Sequence, residues 1–298
     1  MGTTERDCWQ TWYESFDETY SPEKRRQWYS SAAKAYRWAR PRYPDALIDS
    51  VLRQAGLVNA SEASATGSIL EIGCGPGIAT EALVQRGLRV QAVEPSPVAC
   101  ELARESCKAY EPVHVHNSTF EDYPLAGQTF DAVLAATSFH WVSPAVACKK
   151  SAAALNPGGS LILLWATPPQ PSEAICQYLQ TVYDRFGLSE LGHNQHRTQA
   201  YYQHNFKAFA HTVADSGLFP LTAVEVQTHH SPHSIEKYLA LLSTLSDYIA
   251  LDEWVRVELL DALGQHLTAW LEREGAVEEM SLTHWFAAQV TSRIGTDK

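Results

Sequence analysis

Between residues 68 and 166 the chain alternates short apolar runs with segments of helical spacing, and this alternation restricts the fold more than any other feature. The runs at 68–72, 90–93, 113–116, 130–135 and 160–166 read as strands. Helical patterns stand at 78–86, 97–107 and 145–154. A strand, a crossover helix and a second strand join in parallel, so the series predicts a doubly wound parallel sheet with helices on both faces. The run SLILLWA, after the turn NPGG, is apolar at every position, as a strand covered on both sides should be.

The first strand passes into its helix through ILEIGCGPGIATEAL, with Gly73, Gly75 and Gly77 at every second position. Glycine costs backbone entropy, so a cluster at this junction signals a backbone path or a close approach that a Cβ would block. Strand, glycine turn and helix N-terminus together form a cradle for a nucleotide-like ligand. The spacing is G-x-G-x-G, not the G-x-G-x-x-G of dinucleotide sites, and Glu71 precedes it. A pyrophosphate would be repelled by that acid; an amino group or a sulfonium would be attracted. Glu94, in VEPS at the end of the second strand, occupies the tip position that takes ribose hydroxyls.

A formal net charge of -11 argues against non-specific binding to nucleic acid or anionic membranes, and the linear sequence shows no basic face. No apolar run reaches the roughly 18 residues that cross a bilayer. The first residues, MGTTERDCWQTWYESF, lack the pattern of a secretion signal, and the six cysteines form no CxxC pair. The expectation is a cytoplasmic protein, monomer or homodimer, whose partner is a small molecule. Cys74, inside the glycine turn, reads as a small packing residue.

Around this core, residues 8–34 read as one or two helices, AYRWARPRYPDALIDSVLRQAG as a helix broken near Pro41 and Pro44, then an amphipathic helix from Asp45. After Trp165 a helical, aromatic-rich segment runs to about Gly217, then a strand at 221–231, helical spacing at 234–251 and 253–274, and a final strand at 281–293. The expected organisation is lid helices at 1–45, a core at 46–167, a cap insertion at 168–217, and a part at 218–298 that completes the sheet with an antiparallel strand and adds cap helices. The fold class is α/β, a Rossmann-like, mostly parallel sheet plus a helical cap.

LEIGCGPGIAT, VEPS, STFEDYPL and FDAVLAATSFHWV, in this order and spacing, resemble the class I S-adenosylmethionine-dependent methyltransferases, in particular the small-molecule branch of methyltransferase type 11 and trans-aconitate methyltransferase-like proteins. The resemblance implies S-adenosyl-L-methionine as cofactor and assigns roles residue by residue. Gly73, Cys74 and Gly75 pass under the methionine and ribose, and Glu71 reaches the methionine amino group. Glu94, followed by Pro95, takes the ribose hydroxyls. Thr119, Phe120 and Glu121 meet the adenine, with the Phe120 amide as the preferred partner, since many relatives have Asp where Thr119 stands. Ala136 and Thr137 lie by the methionine. Tyr36 and Arg40 match a helix that lids the cofactor, where Arg40 either pairs with the methionine carboxylate or is a plain surface charge.

His140, in TSFHWVSP, is either a base for the acceptor or a packing residue beside Trp141. Tyr201 and Tyr202, with Phe206 and Phe209, are core or the wall of an apolar substrate pocket. The histidines of HNQHR (His193, His196) and THHSPH (His229, His230, His233) lack the ligand spacing of a metal site, so no metal is expected. The resulting expectation is a small-molecule methyltransferase, with O-methylation of a carboxylate or hydroxyl favoured by family analogy. The alternatives are an N-methyltransferase of a small amine and a catalytically idle cofactor-binding partner protein. Nucleic-acid base methylation is disfavoured because ATSFHW stands where an Asn/Asp-Pro-Pro-aromatic motif would be needed, and a nicotinamide oxidoreductase is disfavoured by the glycine spacing.

Overall fold

The computed structural model describes residues 22–58, 67–110, 113–191, 195–275 and 279–294. Two helices come first, α1 (Pro22–Ala39) and α2 (Asp45–Gln54). Pro41 and Pro44 separate them, because proline cannot continue a helix and restrains the residue before it. Residues 1–21, and with them the first part of the helical reading of 8–34, lie outside the described residues.

The alternating core follows as expected. Strand β1 (Ser68–Ile72), helix α3 (Ile78–Val84), β2 (Arg89–Glu94), α4 (Pro97–Cys107), β3 (Val113–Asn117), β4 (Phe130–Ala136), α5 (Pro144–Ala154) and β5 (Leu155–Ala166) succeed one another. Ser96 caps α4 by accepting from the Ala99 amide, and Pro97 opens the helix. The NPGG segment, expected as a turn, is absorbed into β5: Leu155 pairs with Phe130, and a register shift precedes the Ser160–Ala132 pairing.

The C-terminal part contributes α6 (Glu173–Arg185), α7 (Gln199–Asp215), β6 (Glu225–Ser234), α8 (Ile235–Leu242), α9 (Ser246–Ile249), α10 (Glu253–Glu274) and β7 (Glu279–Ser292). The strand order is β3-β2-β1-β4-β5-β7-β6. The pairs among β1 to β5 are parallel, whereas β7 lies antiparallel between β5 and β6. The last strand therefore joins the sheet in the reverse direction, as expected from sequence.

Each face of the sheet carries its own apolar layer. Helices α2, α3 and α4 cover one face, through residues such as Leu47, Leu83 and Ala103 against Ile69, Val90 and Ile162. Helices α5 and α7 cover the other, where Ala147, Phe206 and Val213 meet Leu70, Val133 and Leu163. A third apolar cluster builds the cap. Its spine is the buried stripe Leu259, Leu263, Leu267 and Leu271 of α10, one residue per helical turn, packed against Leu179, Tyr238 and Leu241. Asp252 caps the start of α10 and Gly275, left-handed, ends it. Burying such stripes at about 25 cal/mol per Å2 of apolar surface is the main stabilising term for all three clusters.

Candidate active site

Strands β1 and β4 are neighbours, yet their following helices leave to opposite faces of the sheet. That divergence opens a crevice at the carboxyl ends of the two strands, where open α/β sheets bind ligands. The two turns that line it are locked together. The Gly73 and Cys74 amides donate to the Val93 carbonyl at 2.8 and 3.3 Å, and the Ser138 hydroxyl donates to the Ile72 carbonyl at 2.5 Å.

The three glycines serve different ends. A Cβ on Gly73 would stand 2.7 Å from the Ser138 Cβ, and one on Gly77 would stand 2.9 Å from the Ala103 Cα. Those two glycines let the turn sit against the β4 turn and against α4. A Cβ on Gly75 would meet nothing within 4 Å. Its φ of 54° still disfavours a side chain, and the space beside it is open.

Two buried acids flank this turn. Glu71 is 0% exposed; its Oε2 accepts from the Thr80 hydroxyl at 2.7 Å, while its Oε1 has no partner. Burial is the first cause that lifts its pKa to about 7, opposed by the Thr80 bond and reinforced by the charge of Glu94. Glu94 is 6% exposed, with Oε2 accepting from the Gly75 amide at 2.9 Å and Oε1 from the Ser96 amide at 2.8 Å. Burial again dominates and holds its pKa at about 7 against those two bonds. Each oxygen keeps a second lone pair for a ligand hydroxyl. Pro95 continues this tip, and Asn117 fastens it by donating to the Glu94 and Pro95 carbonyls.

The segment after β3 comes to the same rim through the Ser118 amide, which donates to the Glu94 carbonyl at 3.1 Å. Thr119 binds Asp122, and Phe120 is buried beneath Lys150. The Glu121 carboxylate accepts from the Ser143 amide at the start of α5, which ties this segment to the one after β4. Its side chain is thereby a strut. Ala136 ends β4, partly buried, and Thr137 follows at a φ of 56°. A β-branched residue in the left-handed region is strained, and such strain concentrates at functional turns. Thr137 is held there by its amide on the Leu164 carbonyl and by its hydroxyl, which accepts from the Ala166 amide.

Helix α1 roofs the crevice. The Ser30 and Ser96 hydroxyls are 2.8 Å apart, the Tyr29 ring meets Trp141 edge-on, and Arg37 donates to the Pro76 carbonyl. Arg40 lies over the Tyr36 ring, 4.8 Å from its centroid, and its guanidinium donates to the hydroxyl and carbonyl of Thr244. The sequence did not foretell that partner in the cap. It also passed over Tyr43, whose hydroxyl lies 2.7 Å from that of Thr137 and whose ring meets Phe286. Thr80 and Ser138 were missed as well; Thr80 stands a turn into α3, where a polar residue under a strand-end acid is a usable signal.

His140 sits on a single 3-10 turn, Phe139–Trp141, with its ring 5.1 Å from Trp141. Burial lowers its pKa to about 4, so it is neutral at neutral pH. Tyr202 packs against Trp285 and Phe206, and Phe206 and Phe209 against Trp165, so this aromatic row of α7 is largely core. Tyr201 points outward, 43% exposed beneath Arg197. Among the described residues no group of three or more His, Cys, Asp or Glu converges as a metal site, and no helix is long and apolar enough to cross a membrane. His193 lies outside the described residues. The fold does gather Lys, Arg and His side chains from segments far apart in sequence along one cleft, where Arg37 and Arg42 pair with Glu81.

Residues 70–163 match the family Methyltransf_11, a methyltransferase domain. An uncharacterized methyltransferase of Mycobacterium tuberculosis is 38% identical over 139 residues, 47% of this chain and 52% of that protein. A ubiquinone biosynthesis O-methyltransferase of Methylobacterium nodulans is 35% identical over 94 residues, 31% of this chain and 38% of that protein. The chain thus spans about half the length, or less, of these curated relatives. A candidate type II methyltransferase from Anaeromyxobacter dehalogenans shares the fold, with a TM-score of 0.56 at 20% identity over 85% of this chain and 97% of that one. Residues 70–163 are thus similar to a methyltransferase domain, and the chain shares its fold with a solved methyltransferase structure.

Proposed function

We propose that this protein is an S-adenosylmethionine-dependent methyltransferase of a small molecule, with an ionised oxygen, a carboxylate above all, as acceptor. One observation carries the cofactor reading: a fully buried carboxylate oxygen, Glu71 Oε1, lies unpartnered beside the glycine turn. Such a group is costly unless a donor meets it. A cationic amino group suits it, and the pyrophosphate of a dinucleotide does not. The open side of Gly75 and the spare lone pairs of Glu94 fit a ribose.

In this reading Glu71 holds the amino group, Glu94 the ribose diol, and the Gly73–Gly75 backbone passes beneath both. Thr119 and Phe120 border the base, and Ala136 and Thr137 the methionine. Tyr36 and Arg40 belong to the lid; Arg40 would keep its hold on Thr244 while facing the cofactor carboxylate. The bound cofactor supplies a methyl group on a cationic sulfur, so the protein needs no nucleophile of its own. Cys74 fits that view, since burial raises its thiol well above the ordinary range. The protein's task is to align the acceptor and exclude water.

The neutrality of His140 bears on the acceptor. A partly buried imidazole with a pKa of about 4 is a weak base for a hydroxyl, but it can orient an acceptor that is already ionised. This supports the carboxylate over the neutral alcohol. Residues 46–167 would form the cofactor core, 1–45 the lid, and 168–217 with 218–298 the cap. Incubation with methyl-labelled cofactor and a panel of small carboxylic acids, alcohols, phenols and amines tests the reading. It expects label in an ester. Label in an amine would favour the N-methyltransferase alternative, and cofactor binding without transfer to any acceptor would favour the idle partner protein.

A further inference from the structure

Tyr43, in the segment between α1 and α2, reaches the turn after β4, where its hydroxyl lies 2.7 Å from that of Thr137. The Thr137 hydroxyl also accepts from the Ala166 amide at 3.0 Å. Two hydroxyls carry two protons, and the bond between them uses one. If Tyr43 donates, both lone pairs of Thr137 are filled and the Thr137 proton is left over. If Thr137 donates, the Tyr43 proton is left over. In either direction one hydroxyl proton has no acceptor among the described residues.

That proton is fixed in place. Burial is the first cause that holds the Tyr43 phenol protonated, far above its ordinary range, and the charges of Tyr36 and Glu71 add to it. Thr137 presents its hydroxyl from a φ of 56°, where a β-branched residue is strained and a glycine is not. Backbone strain of this kind marks a side chain with a task. The same strand ends carry the complementary defect. Register pairs Glu71 of β1 with Leu134 of β4, the strand that runs on to Thr137, and the buried Glu71 Oε1 is an acceptor without a donor. An orphaned acceptor and a spare donor at one pair of strand ends match the ammonium and the carboxylate that an α-amino acid carries on one carbon. Arg40 does not fill the donor role alone, because its Nε and Nη2 are engaged by the Thr244 hydroxyl and carbonyl. Its charge still reaches Tyr43 and works against that of Glu71 there.

We propose that the Tyr43 and Thr137 hydroxyls form a one-proton donor for the α-carboxylate of the cofactor whose amino group meets Glu71. Resting on the methyltransferase reading, this makes the crevice selective for a ligand with a complete amino-acid end over the nucleoside alone. Tyr43 and Thr137 then act as one binding unit, and neither takes part in methyl transfer itself.

Calorimetric titration of the full chain with S-adenosylhomocysteine and with 5′-methylthioadenosine tests this. The second ligand keeps the base, the ribose and the thioether and lacks the amino-acid end. The double variant Tyr43→Phe/Thr137→Val removes both hydroxyls at nearly constant shape. It should weaken S-adenosylhomocysteine about tenfold or more and leave 5′-methylthioadenosine within about twofold. Thr137→Ser, which keeps a hydroxyl, should bind both ligands as the unaltered chain does. Should the double variant fail to fold, Tyr43→Phe alone should weaken S-adenosylhomocysteine about threefold or more with the same selectivity. Equal weakening of both ligands would make the pair a strut of the turn and overturn the proposal. Full S-adenosylhomocysteine affinity in the variants would overturn it too, and a raised KM for the acceptor in that case would assign the proton to the acceptor. If the unaltered chain binds 5′-methylthioadenosine as tightly as S-adenosylhomocysteine, the proposal falls and the nucleoside site stands. If it binds neither ligand, the cofactor reading falls and takes the proposal with it.

Discussion

The carboxylates of Glu71 and Glu94 lie buried on either side of one glycine turn, near enough that the charge of Glu94 raises the pKa of Glu71. Both are held at about 7 from an ordinary 4.5. Two acids kept partly protonated without ligand, in a crevice fit for a cation and a diol, set the pH behaviour of the fold and of the site.

The first prediction is a stability that declines with pH. Between about pH 4.5 and 7 the folded acids bind more protons than the unfolded ones, so stability falls as pH rises through that window and levels above it. Below the window the full stability is present. A shift of this size corresponds to roughly 3 kcal/mol per carboxylate. Denaturant melts of the ligand-free protein across this range should show the fall, and Glu71→Gln should flatten it. A rise in stability over the same range would contradict the burial of these acids.

Two glycine substitutions separate fold from ligand. Gly73→Ala drives a Cβ to 2.7 Å from Ser138 in addition to its φ of 63°, so it should cost about 1–3 kcal/mol of stability. Gly75→Ala meets no atom and should cost only about 1 kcal/mol, from its left-handed backbone. Its larger effect should be on affinity for S-adenosylhomocysteine, because the methyl group enters the open space beside the turn. Thermal melts and calorimetry on both variants check the contrast. Equal loss of affinity with equal loss of stability would mean that Gly75 is only a turn.

How far the sequence reached is seen in these same residues. The glycine turn and the two acids could be read from it because their roles depend on local geometry: a strand end, a tight turn and a helix start lie within one stretch of chain. Tyr43 was different: it looks ordinary alone, and its hydroxyl pair with Thr137, a residue singled out through the resemblance, exists only because the Pro41–Pro44 segment is carried across the β4 turn. The same holds for His284 and His229, joined by the register of β6 on β7, and for Arg40, whose partner Thr244 lies in the cap. Periodicity found the aromatic row of α7 but could not tell the exposed Tyr201 from its buried neighbours, since neither helical spacing nor residue type says what covers a face.

Tyr43→Phe keeps the ring against Phe286 and removes the bond to Thr137. A loss of about 0.5–1.5 kcal/mol in stability is expected. Affinity for S-adenosylhomocysteine should fall with it, because the strained Thr137 turn loses one of its fastenings. Wild-type affinity in this variant would separate Tyr43 from the site.

For His140→Ala the account expects a modest fall in kcat, under about tenfold, with the larger change in KM, since an ionised acceptor needs no base. The pH–rate profile should keep its shape. A fall in kcat of about a thousandfold at unchanged KM would identify His140 as a base and a hydroxyl or amine as the acceptor.

The central claim is that a cationic amino group meets Glu71 beside the glycine turn. Calorimetry of S-adenosylhomocysteine binding at about pH 7, in two buffers of different ionisation enthalpy, measures this directly. One ligand should bind per chain and release about half a proton, because the incoming cation drives a half-protonated Glu71 to its ionised form. The release should vanish in Glu71→Gln, along with most of the affinity, and NAD should give no heat under the same conditions. Binding of NAD in place of S-adenosylhomocysteine, or S-adenosylhomocysteine binding of undiminished strength and without proton release in both proteins, would contradict the account.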